Sequence, residues 1–232
     1  MKRLLLAVLL ALFVAVASAD TPEVEITSEP SHHLAIENES VRVFKVEVAP
    51  HTSTLMHRHR HDYLFVTIGD ADVSNEPAGK PAAELKLADG ETRFTPGNFA
   101  HIARNLADTP FRNVTIEILQ DEKLRTAPSV WQTESGEFAL PGVHSKILFV
   151  KDGVRAWDMT LEAGASTTKH HHDHPHLIVD VSDGELRTDV EGKGPTTDRF
   201  KTGDVRWVPA GDTHQATNTG STAARYIAVE FP

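Results

Sequence analysis

Histidine is the residue in this chain best placed to do chemistry, and it recurs at fixed spacings. His57-Arg58-His59 returns as His170-His171-His172, and His101 returns as His214, each 113 positions later. Side chains on a strand alternate between faces, so two histidines one residue apart point the same way. His57 with His59, and His170 with His172, can therefore face one ion together. His101 and His214 each follow a Pro/Gly turn that can bring the next strand back beside the first pair. Three neutral imidazoles on one ion leave coordination positions open, as in a reactive site and unlike a closed structural one. Imidazole ligation admits Fe, Mn, Zn, Ni, Co or Cu, so the expectation is one divalent transition metal per copy.

The elements that must hold these histidines are repeated as well. Residues 34–119 laid on 147–232 without a gap give 21 identities in 86 positions. Gly90, Arg93, Pro96, Asn105 and Glu117 match Gly203, Arg206, Pro209, Asn218 and Glu230 in one register. An internal duplication of this kind sets the architecture. Within each copy apolar and polar residues alternate: Phe44, Val46 and Val48 against Lys45 and Glu47, and Val114, Ile116 and Ile118 against Thr115 and Glu117. The second copy repeats this at Trp157, Met159 and Leu161, and at Ile227, Val229 and Phe231. Period-2 alternation broken by Asp-Gly and Pro-Gly turns predicts half-buried strands, and no helical period is evident beyond the N-terminus. An all-β sandwich or small barrel follows for each copy.

At this point the residues resemble the cupin superfamily, germin-like proteins among them. Its pattern is HxH, a Glu a few residues on, and later PxGxxHxxxN. The second copy carries Pro209-Ala210-Gly211-Asp212-Thr213-His214, then Asn218; the first carries Pro96-Gly97-Asn98-Phe99-Ala100-His101, then Asn105, with its glycine one place early. The resemblance implies a bicupin, all-β, with two tandem jelly-roll-type barrels. Barrel 1 would span 33–120 after a leader at 20–32, a linker 121–143, and barrel 2 144–232. The family's Glu is absent, and Tyr63 and His176 hold that register on the face of the paired histidines. The expected metal ligands are thus His57, His59 and His101 in copy 1, and His170, His172, His176 and His214 in copy 2. Tyr63 is expected as the catalytic hydrogen-bond donor. On this comparison copy 2 should bind metal more tightly and copy 1 should be the more open site. Asp62, one residue off register, falls on the opposite face.

Composition narrows the partners. Lys2-Arg3, an apolar run from Leu4 to Val16 and Ala17-Ser18-Ala19 read as a signal peptide over 1–19, too short an apolar run to span a bilayer, which takes about 20 residues. The chain has no cysteine, which excludes disulfides and thiolate chemistry. Periplasmic or secreted localisation is expected, with no membrane partner once the signal is cleaved. A formal net charge of −10 and the absence of a long basic run speak against nucleic acid. His61, His171, His174, Arg58 and Arg60 read as rim or solvated residues. Arg93 and Arg206 read first as rim ion pairs, and otherwise as clamps for a substrate carboxylate. The leading expectation is a metal-dependent, dioxygenase-like enzyme acting on a small organic molecule. The alternatives are a non-catalytic cupin that holds metal or a small ligand and, more weakly, a sugar isomerase; association into oligomers is left open.

Overall fold

The computed structural model describes residues 22–126 and 138–232. The segment read as a signal peptide and the apolar pair Val130-Trp131 lie outside these residues. Among the described residues no helix is long and apolar enough to cross a membrane.

The first copy folds into β1 (Val24–Glu25), β2 (His32–Glu37), β3 (Val41–Val48), β4 (His57–His59), β5 (Tyr63–Ile68), β6 (Ala71–Pro77), β7 (Ala83–Leu87), β8 (Thr92–Thr95), β9 (Phe99–Asn105) and β10 (Phe111–Ile118). A short helix α1 (Asp121–Thr126) follows. The second copy supplies β11 (Phe138–Leu140), β12 (Val143–Lys151), β13 (Val154–Leu161), β14 (His170–His171), β15 (His176–Asp180), β16 (Gly184–Val190), β17 (Thr196–Phe200), β18 (Val205–Val208), β19 (Thr213–Asn218) and β20 (Ala224–Glu230).

The sheets repeat along with the sequence. In unit 1 the orders are β1-β4-β9-β6-β7 and β2-β3-β10-β5-β8; in unit 2 they are β14-β19-β16-β17 and β11-β12-β13-β20-β15-β18. Each order runs edge to edge without returning on itself, so each unit is a pair of sheets packed face to face. The leader is more ordered than its polar composition predicts. β1 pairs in parallel with β4, Ile26 is buried, and Arg58 and Arg60 form ion pairs with Glu23 and Glu25. The expected linker likewise begins as a helix, α1.

Three apolar clusters hold the chain, and each accounts for one strand face. Inside unit 1, Phe44, Val46 and Val48 of β3 meet Val73, Leu87 and Phe111. Inside unit 2, Val143, Leu161 and Tyr226 meet Leu186 and Phe200. The largest cluster lies between the units, where Val41, Val43, Leu64, Val66, Val114 and Ile116 pack on Val154, Ala156, Leu177, Val179, Ile227 and Val229. Lys45 Nζ to Asp204 Oδ1 at 3.0 Å and Arg225 Nη1 to the Asp89 carbonyl at 3.1 Å cross the same boundary. The alternation in β10 and β20 is therefore as predicted, but its apolar face turns toward the other unit. The polar face, with Thr115 and Glu117 or Ala228 and Glu230, turns into its own unit.

The motif residues that are not histidine brace the frame. Asn105 Nδ2 donates to the carbonyls of Val48 and Thr109 at 3.0 and 2.8 Å, and Asn218 Nδ2 donates to Leu161 and Thr222, both at 2.8 Å. Gly211 takes a left-handed φ of 99° in unit 2, and at the matching place unit 1 has Asn98 with φ 56°. Asparagine tolerates that region better than most residues. The early Gly97 has its own reason: a Cβ there would lie 2.6 Å from the His61 backbone, and its N–H donates to Asp62 Oδ1 at 2.6 Å.

Candidate metal centres

Strand pairing places the histidines. β4 runs antiparallel to β9 with His57 opposite His101, and β14 runs antiparallel to β19 with His170 opposite His214. The second histidine of each pair, His59 or His172, closes the group from the same face. In unit 2 one ring nitrogen each from His170, His172 and His214 lies within 4.8 Å of the others. In unit 1 the corresponding group is His32, His57 and His59, and His101 adjoins it with its Nε2 3.4 Å from His59 Nε2. His32, on β2, was not among the expected ligands.

Hydrogen bonds to acceptor-only groups settle which nitrogen is available. His57 Nδ1 donates to the Leu55 carbonyl at 2.9 Å, and its counterpart His170 Nδ1 donates to the Thr168 carbonyl at 2.8 Å. His32 Nδ1 is 2.6 Å from Glu29 Oε2, and His101 Nδ1 is 2.6 Å from Asn75 Oδ1. In each ring the proton is held at Nδ1 and the Nε2 lone pair is left to bind, the usual way a protein orients a ligating imidazole. His57 Nε2 is buried without a hydrogen-bond partner. A buried orphan acceptor is costly, and a cation satisfies it. The residues present therefore fit a divalent metal, and each cluster is capable of chelating one ion.

The electrostatics favour the ligating, neutral form. Burial lowers His57 to about 4, helped by the neighbouring His32, and pushes His59 and His101 well below the ordinary histidine value. In unit 2 burial lowers His170, and takes His214 and His176 to about 4. Behind each second histidine stands a carboxylate that sequence matching paired without assigning a role. Glu117 Oε1 lies 3.7 Å from His59 Nδ1, and Glu230 Oε1 lies 3.7 Å from His172 Nδ1.

Tyr63 and His176, equivalent in register, both stack on the second histidine of their unit. Tyr63 lies on the His59 ring with centroids 3.8 Å apart and planes 14° apart; His176 lies on His172 at 4.2 Å and 31°. Burial raises the Tyr63 phenol far above its ordinary value, with Thr95 as its hydrogen-bond neighbour. His176 sits beside the unit 2 trio, its Nδ1 buried without a partner. The arginines expected at the rim are paired: Arg206 with Asp180 at 2.7 and 3.1 Å, and Arg93 Nε with Glu91 at 2.7 Å. His61 faces Asp121, and His171 is exposed and bonded to Thr213, so both sit outside the clusters.

The cavities reverse one expectation. The unit 2 trio opens on a cavity of about 640 Å³ walled by Trp157, Met159, Ile178, Leu186 and Val208, whereas the unit 1 cavity is about 160 Å³. Copy 1 is thus the tighter site, because Phe65, Phe99 and Leu85 reach inward there. The register contrast between Tyr63 and His176 does not report the bulk of Phe65 farther along β5, or of Leu85 on β7 and Phe99 on β9.

Paired sheets in duplicate, each carrying a histidine cluster on its inner face, define a two-domain metal-binding β protein. Residues 157–230 match the cupin domain family. No curated protein resembles the chain in sequence. Among solved structures, oxalate decarboxylase from Bacillus subtilis at pH 4.6 superposes with a TM-score of 0.61 at 15% identity, over 83% of this chain and 68% of that one. A tryptophan-to-phenylalanine variant of the same enzyme gives 0.62 at 14% identity, over 84% and 69%. Residues 157–230 thus carry a match to the cupin domain, and the chain as a whole is similar in fold to the two bacterial oxalate decarboxylase structures.

Proposed function

We propose that this is an exported, metal-dependent enzyme whose working centre lies in unit 2, and that it carries out a dioxygenase-like oxidation of a small organic molecule. The observation that carries the reading is a three-imidazole cluster on the wall of a cavity of about 640 Å³ that is largely apolar. Ligand sites of roughly 300–1,000 Å³ with apolar walls and a few convergent polar groups are typical of small-molecule binding. A bound ion would supply Lewis acidity and open coordination positions for oxygen donors. His170, His172 and His214 would hold it, and the Thr168 carbonyl and Glu230 keep the first two rings oriented. His176, neutral at ordinary pH and stacked on His172, is placed to take a proton from a substrate hydroxyl.

The lining argues about substrate class. Arg155 is bound to Glu230 at 2.6 Å and Arg206 to Asp180, and among the described residues no lysine lines the cavity. A small dianion such as oxalate would leave most of the volume empty and meet arginines already hydrogen-bonded to carboxyl groups. An apolar or aromatic frame with two adjacent oxygen donors fits better. For unit 1, its small cavity favours metal binding without turnover.

The test is oxygen consumption by protein loaded in turn with Mn, Fe, Co, Ni, Cu or Zn, against phenolic and diketone compounds and against oxalate. Uptake with an apolar bidentate compound, abolished by His214→Ala, is the expected result. Carbon dioxide release from oxalate, with no turnover of the larger compounds, would replace this reading with an oxalate-type one.

A further inference from the structure

We infer that unit 1 is a closed four-nitrogen metal site with His32 as its fourth ligand, and that the ion there fastens the N-terminal segment to the sheet that carries the histidines. This rests on reading both clusters as metal sites. At the place equivalent to His32, unit 2 has Ser145: His32 pairs with Val46 as Ser145 pairs with Met159, and both pairs are 113 residues apart.

One nitrogen each of His32, His57 and His59 lies within 4.8 Å of the others and His101 adjoins them through His59, while three of the four rings are held from the far side by a hydrogen bond. His32 is backed by Glu29, His57 by the Leu55 carbonyl, His101 by Asn75, and His59 faces Glu117. Ring centroids stand 4.8 Å apart for His32 and His57, 4.6 Å for His57 and His101, and 5.1 Å for His57 and His59. Little room is left for a substrate, since the cavity is about 160 Å³. Four protein ligands with no open position are the mark of a structural site, and three with one open mark a catalytic site.

The support for His32 is itself anchored. Glu29 is buried and also accepts from the N–H groups of Leu55 at 3.1 Å and Ser31 at 2.8 Å. The same short segment carries β1, which pairs with the histidine strand β4 over only two residues. An ion shared by His32 and the β4 histidines would close this loop with a bond far stronger than those two backbone pairs. Metal binding at unit 1 would thus act as folding energy for residues 24–37.

Cobalt(II) tests this in the full chain, with each unit loaded alone. In His214→Ala only unit 1 should fill, with one ion, and added azide should leave the visible spectrum of the cobalt unchanged. Hydrogen exchange over residues 24–37 should slow at least tenfold on loading. In His57→Ala only unit 2 fills, and azide should shift the spectrum. His32→Ala, made in the His214→Ala chain, should lower cobalt affinity by at least about 10–100-fold, the range for losing a ligand's support. It should also open the site to azide and remove the added protection. Ser145→His in the His57→Ala chain should blunt the azide response. An azide shift in the His214→Ala protein with His32 intact overturns the closed site while leaving metal binding standing. Absence of any bound ion in the wild type overturns the reading of both clusters.

Discussion

The two units share a ligand skeleton and differ in nearly everything around it. His57, His59 and His101 coincide in register with His170, His172 and His214 because antiparallel pairing fixes which residues oppose one another. The inner-facing residues are under no such constraint. Where unit 1 has Phe65, Phe99, Leu85 and His32, unit 2 has Ile178, Asp212, Asp198 and Ser145, and its cavity is about 640 rather than 160 Å³. The carboxylates behind the second histidines diverge as well. Glu230 accepts from Arg155 Nε at 2.6 Å and Trp157 Nε1 at 3.0 Å, and against the cost of burial these bonds, with His172, bring it down to about 2. Unit 1 has Phe44 where unit 2 has Trp157, and its nearest donor, Arg42 Nη1, lies 3.4 Å from Glu117 Oε2. Burial there wins and raises Glu117. One indole N–H thus helps decide whether the charge behind the metal ligand is firmly held. The two copies keep the paired histidines, and the side chains around them differ.

The comparison breaks most easily at the ligands. His214→Ala should remove the unit 2 ion and lower turnover by more than about 100-fold, whereas His101→Ala should change it less than tenfold. The reverse pattern, read by elemental analysis and steady-state rates, would move the working site to unit 1. Protons give the next largest effect. Folded-state values of about 4 for His57, His176 and His214 lie below the ~6.5 of an unfolded histidine. Between those pH values the unfolded chain binds protons that the folded chain refuses. Stability of the metal-free protein should therefore be full above pH ~6.5 and fall as pH drops toward 4, followed by thermal unfolding. Asp180, raised by burial to about 7, acts in the opposite sense as pH falls, so Asp180→Asn should steepen the decline.

Smaller effects sharpen the contrast. Glu230→Gln removes the charge behind His172 and should weaken the unit 2 ion by about 10–100-fold in a chelator competition. Glu117→Gln should cost unit 1 less, because burial has already raised that carboxyl. Ile178→Phe copies the unit 1 side chain into unit 2. It should raise KM for the bulkiest substrate roughly tenfold, the scale of a lost fit in an apolar pocket, while leaving metal content intact.

Much of this was legible in the chain itself. The duplication, the strand alternation and the six paired histidines all follow from spacing, because antiparallel register and period 2 leave few ways to arrange them. What escaped lies where the copies disagree or where distant strands meet. His32 has no counterpart in the second copy, so a comparison that rewards shared residues passes over it. Glu117 and Glu230 were matched, yet nothing in a linear pattern says that the polar face of β10 or β20 turns toward the histidines. The relative openness of the sites does not follow from Tyr63 and His176 alone, since Phe65 acts from farther along the same strand and Leu85 and Phe99 from two others. The order of the leader depends on Ile26 finding a core and on β1 finding β4, both of which are long-range events.

The layer between the units carries a lesson about ancestry and about scissors. Val41, Val43, Leu64, Val66, Ile68, Val114, Ile116 and Ile118 meet Val154, Ala156, Leu177, Val179, Val181, Ile227, Val229 and Phe231, and each residue of the first set is the register mate of one in the second. Such a surface is close to self-complementary, as the contact of a two-fold dimer must be. A gene cut within residues 127–137 would yield halves that each bare this wall, and another copy of the same half is the nearest match for it. In its packing the chain is like a two-fold dimer whose subunits are joined end to end, one narrow around its histidines and the other wide.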